Sequence, residues 1–320
     1  MKTVLLSQKI RDEGLEVLQG KADILVAPDP SQETIARLIK DVHGVILRTT
    51  SKITREMIES APQLEVISRT GVGVDNVDVQ AASERGIRVC NLPGLNSVSV
   101  AEHAAALIVA VTKALPFLDR EVRQANWKSR NAYRPVELQH KTLGVIGFGK
   151  IGSYVAQIMQ QGFGMNLLAY DPYVSSAGEA DLNVTFCELD DLLLQADIVT
   201  IHLPATPETQ NLVHKERLAL LKPSAYFINT ARGGVVDEAA LVELLQAQRI
   251  AGAGLDVFEQ EPLPREHPLT KLDNVILSPH AGALSKECVI RVAVEAAQAV
   301  LDVFAGREPK YVYNQAELNR

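Results

Sequence analysis

The chain has 320 residues, 47% of them hydrophobic and 5% aromatic, with 32 basic against 39 acidic side chains and a formal net charge of −7. That length predicts about two domains with real cores. The acidic balance with interspersed charges argues against a nucleic-acid surface, and no apolar run approaches the ~18 residues of a membrane span.

Met1–Ser7 carries too short an apolar core for a secretory leader and reads as a first strand, which points to a cytoplasmic protein. Residues 1–98 then alternate short apolar runs (Val4–Leu6, Ile24–Val26, Gly44–Leu47, Leu64–Ser68, Val89–Asn91) with helical patterns such as Ser31–Lys40 and Ile53–Ser60. This is a βαβ series. Near Asn96–Glu102 the pattern changes: Ser99 and Glu102 have capping-box spacing, and an alanine-rich apolar helix runs to about Lys113, where Pro116 ends or bends it. A second series follows, with strands expected at Leu143–Gly147, Leu167–Tyr170, Ile198–His202, Ala225–Asn229, Ala251–Asp256 and Val275–Ser278. Helices are expected near Ile151–Gln161, Lys215–Leu221 and Glu238–Gln246. The fold class is therefore α/β, with two Rossmann-like, doubly wound parallel sheets. A long apolar helix at about Ser285–Phe304 returns the chain to the first domain, so the expected domains are 1–98 with 290–320, and 99–289. Two crossings make a hinge, with a ligand cleft between the domains. Cys90, Cys187 and Cys288 lack the spacing of a zinc site or disulfide framework, and no metal is expected.

The most informative segment is Leu143–Gly152. An apolar strand runs into Gly147, Gly149 and Gly152, and Asp171 follows the next predicted strand. In such a unit the glycines allow a tight turn, close backbone approach to a pyrophosphate and close packing of a helix whose N–H groups hold the phosphates. Lys150 and Ile151, where the turn passes into that helix, are expected at the cofactor. Asp171 can accept hydrogen bonds from a ribose diol, which favours NAD; a 2′-phosphate would meet like charge, and no arginine directly follows the aspartate.

Three polar residues stand just beyond predicted strands of the second series: Arg232 in Asn229–Gly234, Glu261 in Asp256–Pro262, and His280 after Ser278-Pro279. Carboxyl ends of strands face the cofactor crevice in sheets of this kind. With Gly71–Asp78, Asn96–Glu102, His202-Leu203-Pro204 and Gly254–Phe258, these motifs make the chain resemble the D-isomer-specific 2-hydroxyacid dehydrogenase family over nearly its whole length. Within it the chain looks most like the 3-phosphoglycerate dehydrogenases. The resemblance implies an NAD-dependent oxidoreductase with Arg232, Glu261 and His280 as catalytic residues and Asp256 holding the nicotinamide carboxamide. His202, Pro204, Thr230 and Ala231 are implied at the cofactor.

Hydride transfer to a 2-oxo acid needs a donor fork for the substrate carboxylate, which a guanidinium supplies, and a proton donor for the nascent alkoxide, which an imidazolium supplies. An acid beside the histidine favours the imidazolium and orients the ring. The loop Gly71-Val72-Gly73 is expected to offer main-chain N–H groups to the same carboxylate. Arg48 and Arg69 match positions that take a distal anion in the phosphoglycerate enzymes, which favours 3-phosphoglycerate or 3-phosphohydroxypyruvate. The alternatives are a glyoxylate or hydroxypyruvate reductase and, outside enzymes, an NAD-sensing corepressor-like binding protein. The resemblance also implies a homodimer formed around Trp127–Arg130 and Arg134, with the apolar stretch Ala104–Val111 available. Because the chain ends at Arg320, soon after the returning helix, no regulatory extension and no serine feedback are expected.

Overall fold

A computed structural model of the chain describes residues 1–131, 135–176 and 182–319. It divides into two compact units, Met1–Asn96 with Leu284–Arg320, and Ser97–Ala283. Arg134 lies outside the described residues.

The first unit is a five-stranded parallel sheet. Its strands β1 (Thr3–Leu6), β2 (Asp23–Val26), β3 (Gly44–Leu47), β4 (Val66–Arg69) and β5 (Arg88–Cys90) lie in the order β2-β1-β3-β4-β5. Helices cover both faces, so the central strands β3 and β4 are buried throughout; β3 is apolar along its length, while β4 ends in the buried polar residues Ser68 and Arg69. The edge strand β2 exposes Ile24 and Val26. The returning helix Lys286–Phe304, capped by Ser285, packs on β3, β4 and helix Asp12–Leu18. Beyond it the buried Asn314 accepts the N–H of Val89 and donates to the Ile87 carbonyl and Ser83 Oγ, each at 2.9 Å, which ties the last segment to β5.

The second unit is a seven-stranded parallel sheet. Its strands are β6 (Thr142–Ile146), β7 (Asn166–Tyr170), β8 (Val184–Phe186), β9 (Ile198–Ile201), β10 (Tyr226–Asn229), β11 (Gly252–Leu255) and β12 (Val275–Leu277), in the order β12-β11-β10-β9-β6-β7-β8. One face packs Leu192, Leu193, Phe227, Leu241 and Leu245. The other packs Ala104, Ile108, Val155, Met159 and Leu167. The winding reverses between β6 and β9, and the crevice at their carboxyl ends is where such a sheet takes a ligand.

Two local expectations are corrected. The sheet has seven strands rather than six, because the three residues of β8 add a half-buried edge, and the helix Leu189–Gln195 that follows it was also unforeseen. Ser99 is not a cap: the helix runs from Ser97 to Thr112, and Ser99 is buried inside it, donating to the Gly282 carbonyl at 2.6 Å. As expected, the chain bends at Pro116: the helix stops at Thr112, and Pro116 sits in the first turn of the next, Leu115–Arg123, set at 59° to it, where its missing N–H costs nothing. Among the described residues no single helix is long and apolar enough to cross a membrane.

Candidate active site

Each expected cofactor residue lies beyond the carboxyl end of a strand in the second sheet, on the loop that follows or in the first turn of the next helix. Gly147 follows β6 with φ +91°, and a Cβ there would come within 2.7 Å of the His202 carbonyl oxygen on the loop after β9. At Gly152 a Cβ would collide with the Gly147 carbonyl, so only glycine lets helix Lys150–Phe163 start this close to the strand. Gly149 differs: within 4 Å of its Cβ direction there is open space. Lys150, Ile151 and Gly152 are the first residues of the helix, whose N–H groups have no intrahelical acceptor. Asp171, just past β7, is fixed by the N–H of Phe148 at 2.8 Å and of Tyr173 at 2.9 Å. Each oxygen retains capacity for a hydroxyl.

Among the described residues, two buried polar atoms here lack partners. They are Nδ1 of His202 and Oγ1 of Thr230. Buried polar atoms are nearly always bonded, so a ligand with donors or acceptors fits this crevice. Burial pushes the His202 imidazole down to about 3, so the ring is neutral, with Nε2 against Thr200 Oγ1 at 2.9 Å. Pro204 is exposed on the same loop. Ala231 is held by Asn229, whose Oδ1 accepts its N–H and whose Nδ2 donates to the Arg232 carbonyl. The open space over Gly149, the helix start, Asp171 and these orphan atoms together fit a dinucleotide.

The loops after β10, β11 and β12 carry Arg232, Glu261 and His280, and the sheet makes those strands neighbours. Gly233 lets the first two loops touch, since a Cβ on it would strike the main chain of Phe258. Glu261 Oε2 stands 2.8 Å from His280 Nδ1, and its Oε1 accepts the N–H of Phe258 at 3.1 Å. Burial acts to raise the Glu261 carboxyl, but the hydrogen bond and charge of His280, the Phe258 N–H and the charge of Arg232 outweigh it and hold the group below the usual carboxylate range. With Nδ1 engaged, Nε2 is the nitrogen of His280 left to exchange a proton. Asp256, at the end of β11, is buried; burial again acts to raise it, and bonds from His103, Ser278, Ala281 and Gly282 bring it below its ordinary value.

In the first unit Arg48 follows β3 and Arg69 ends β4, where the Arg69 guanidinium bonds Thr49 Oγ1 at 3.1 Å. Gly71, Val72 and Gly73 follow β4, but the N–H of Gly71 is bonded to the Arg69 carbonyl at 2.9 Å. The expected donor role therefore shifts to Val72 and Gly73. Asn91 Nδ2 and the N–H of Leu92 hold the loop by the carbonyls of Val72 and Gly71, each at 2.8 Å. Reading the sequence missed Asn229, Gly233, Ser278 as a bonded group, and above all His103. A lone imidazole in an alanine-rich helix was the available signal.

The second unit is therefore a dinucleotide-binding α/β unit with a carboxylate–imidazole pair at its crevice. Residues 105–282 match the family model described as D-isomer specific 2-hydroxyacid dehydrogenase, NAD binding domain. The chain is 41% identical over 314 residues to a D-3-phosphoglycerate dehydrogenase of Synechocystis, covering 98% of this chain and 56% of that protein. It is also 41% identical over 323 residues to a glyoxylate reductase of Thermofilum pendens, covering 98% of this chain and 95% of the relative. Among solved structures, a protein of Thermus thermophilus superposes with a TM-score of 0.89 at 35% identity, covering 97% and 99% of the two chains. The chain belongs to the D-isomer specific 2-hydroxyacid dehydrogenases, a family of nicotinamide-dependent oxidoreductases, and carries its NAD-binding domain. It spans a little over half the length of the phosphoglycerate dehydrogenases it matches.

Proposed function

We propose that this protein is an NAD-dependent oxidoreductase acting between a D-2-hydroxy acid and its 2-oxo acid, with 3-phosphoglycerate and 3-phosphohydroxypyruvate as the preferred pair. In this reading Ser97–Ala283 binds the cofactor, and the first unit supplies substrate contacts. The observation that carries it is the Glu261–His280 pair on loops adjoining that of Arg232, at the end of a sheet whose crevice fits a dinucleotide. Bound nicotinamide supplies the hydride donor or acceptor. Arg232 takes the substrate carboxylate, because its planar fork matches two oxygens at once. His280 gives a proton from Nε2 to the developing alkoxide in reduction and removes it in oxidation, while Glu261 holds Nδ1–H and stabilises the charged ring.

Arg48 and Arg69 support a substrate with a second anionic group, since both stand at carboxyl ends of first-unit strands, where a parallel sheet presents its ligands. The rival, a glyoxylate or hydroxypyruvate reductase, draws support from the Thermofilum relative of matching length. Oxidation of NADH with a panel of 2-oxo acids with and without phosphate separates them. Equal kcat/KM for phosphohydroxypyruvate and hydroxypyruvate would reject the phosphate preference. The acid–base roles are tested by Glu261→Gln. Glutamine keeps the size of the side chain but removes the anion that faces His280 Nδ1, so kcat/KM for reduction should fall about tenfold or more. An unchanged kcat/KM rejects the pairing. A homodimer is also proposed: helix Leu115–Arg123 buries none of its residues, and Leu115, Val122 and Trp127 are exposed, an apolar surface that a second copy would cover.

A further inference from the structure

The dehydrogenase reading leaves His103 without a task, and its surroundings give it one. It is a polar ring on helix Ser97–Thr112, whose neighbours Ala101, Ala104 and Ala105 pack into the core of the second unit. Its Nε2 lies 2.9 Å from Ser278 Oγ and 3.3 Å from Asp256 Oδ1. Ser278 has one hydroxyl proton, and its 2.5 Å bond to Asp256 Oδ1 uses it. His103 Nε2 therefore carries a proton and is the donor to Ser278 Oγ.

Asp256 joins this pair to the turn that presents His280. Its Oδ1 accepts the N–H of Ala281 at 2.8 Å, its Oδ2 that of Gly282 at 2.9 Å, and its main-chain carbonyl that of His280 at 2.8 Å. His280 itself has φ +53°, a left-handed conformation that costs a non-glycine residue energy and persists only where neighbours impose it. With the Ser278 hydroxyl and the Ala281 N–H both bonded to Oδ1, that oxygen is saturated, and Oδ2, which takes the Gly282 N–H, keeps room for a further donor. The expected role of Asp256 toward the nicotinamide carboxamide thereby narrows to Oδ2.

We propose that His103 is a positioning residue. By donating to Ser278, and so orienting its hydroxyl on Asp256 Oδ1, it fixes the carboxylate and the turn Ser278–Gly282, and with them the setting of His280. The inference rests on His280 as the proton carrier, yet the geometry of the turn can be tested without catalysis. Two variants, His103→Phe and His103→Gln, are compared by amide hydrogen exchange across residues 278–283 in the cofactor-free protein and by NADH-dependent reduction of phosphohydroxypyruvate and glyoxylate. In His103→Phe the amides of Ala281 and Gly282 should exchange about tenfold faster and kcat should fall about tenfold, the cost of one donor to a charged network, while KM for the 2-oxo acid stays within about twofold. His103→Gln, whose amide N–H reaches the same place, should bring exchange and kcat to within about threefold of wild type. Unchanged exchange in His103→Phe, unchanged kcat in an active enzyme, or a His103→Gln as impaired as His103→Phe overturns the proposal. A wild-type protein that reduces no 2-oxo acid, while His103→Phe still loses amide protection, defeats the dehydrogenase reading and leaves the positioning of the turn in place.

Discussion

Two glycine loops follow buried parallel strands, one in each unit, and they carry positive potential by different means. After β6 the chain runs straight into the 14-residue helix Lys150–Phe163, so the donors are main-chain N–H groups reinforced by the helix dipole. After β4 the loop Gly71–Gly73 meets no helix until Val79–Glu84, and the positive charge comes from a side chain instead. The guanidinium of Arg69 occupies the place a Cβ of Gly71 would take. Main-chain donors fix one shape, which suits a diphosphate that never varies. A long side chain beside a small loop can serve different anions, and its ligand is correspondingly harder to name.

That contrast can be broken by filling the glycines one at a time. The largest effect is expected from Gly152→Ala, whose methyl would lie against the Gly147 carbonyl, a main-chain atom that cannot step aside. Overpacking of this kind predicts about 3 kcal/mol lost in urea unfolding, with dinucleotide binding lost as well. A variant as stable as wild type would mean that helix and strand are not packed as described. Gly149→Ala should separate folding from binding. Nothing lies within 4 Å of the added methyl, so unfolding should change by no more than about 1 kcal/mol, the scale of a helix-cap change. The methyl does enter the space where the backbone must approach the pyrophosphate, and NADH affinity, followed by fluorescence titration, should fall about tenfold or more. Unaltered affinity would place the phosphates elsewhere.

How much was legible before the fold was known follows the same division. Gly147, Gly149, Gly152 and Asp171 could be read together because each role is local to one strand–turn–helix–strand passage. Arg232, Glu261 and His280 could be named because each follows a predicted strand, although the approach of the loops of Arg232 and Glu261 depends on Gly233 meeting Phe258, a contact between distant segments. The edge strand β8 was invisible: two half-buried residues about an exposed one are too few to carry a periodicity. Ser99 misled because capping-box spacing also occurs inside a helix, where a serine can bond a remote carbonyl, here that of Gly282. His103 was passed over because its partners Ser278 and Asp256 are more than 150 residues away, on the far side of the sheet sequence. The bond between Gly71 N–H and the Arg69 carbonyl depends on local dihedral angles that glycine leaves open.

The smallest predicted effect is the one that discriminates best. In Gly71→Ala the three atoms nearest the new methyl all belong to the far end of the flexible Arg69 side chain, which would move off its 3.1 Å bond to Thr49. The fold should therefore tolerate the change, and NADH affinity should be untouched, because the displaced group belongs to the first unit. If Arg69 takes a distal phosphate, moving it weakens a charge-assisted bond without deleting it, so only part of the ~1.5–3 kcal/mol of such a bond is lost. The ratio of kcat/KM for phosphohydroxypyruvate to that for hydroxypyruvate should then fall about threefold. An equal loss on both substrates would assign Arg69 to the carboxylate they share. No loss on either would make the arginine a structural partner of Thr49, and the case for a phosphorylated substrate would then rest on Arg48 alone.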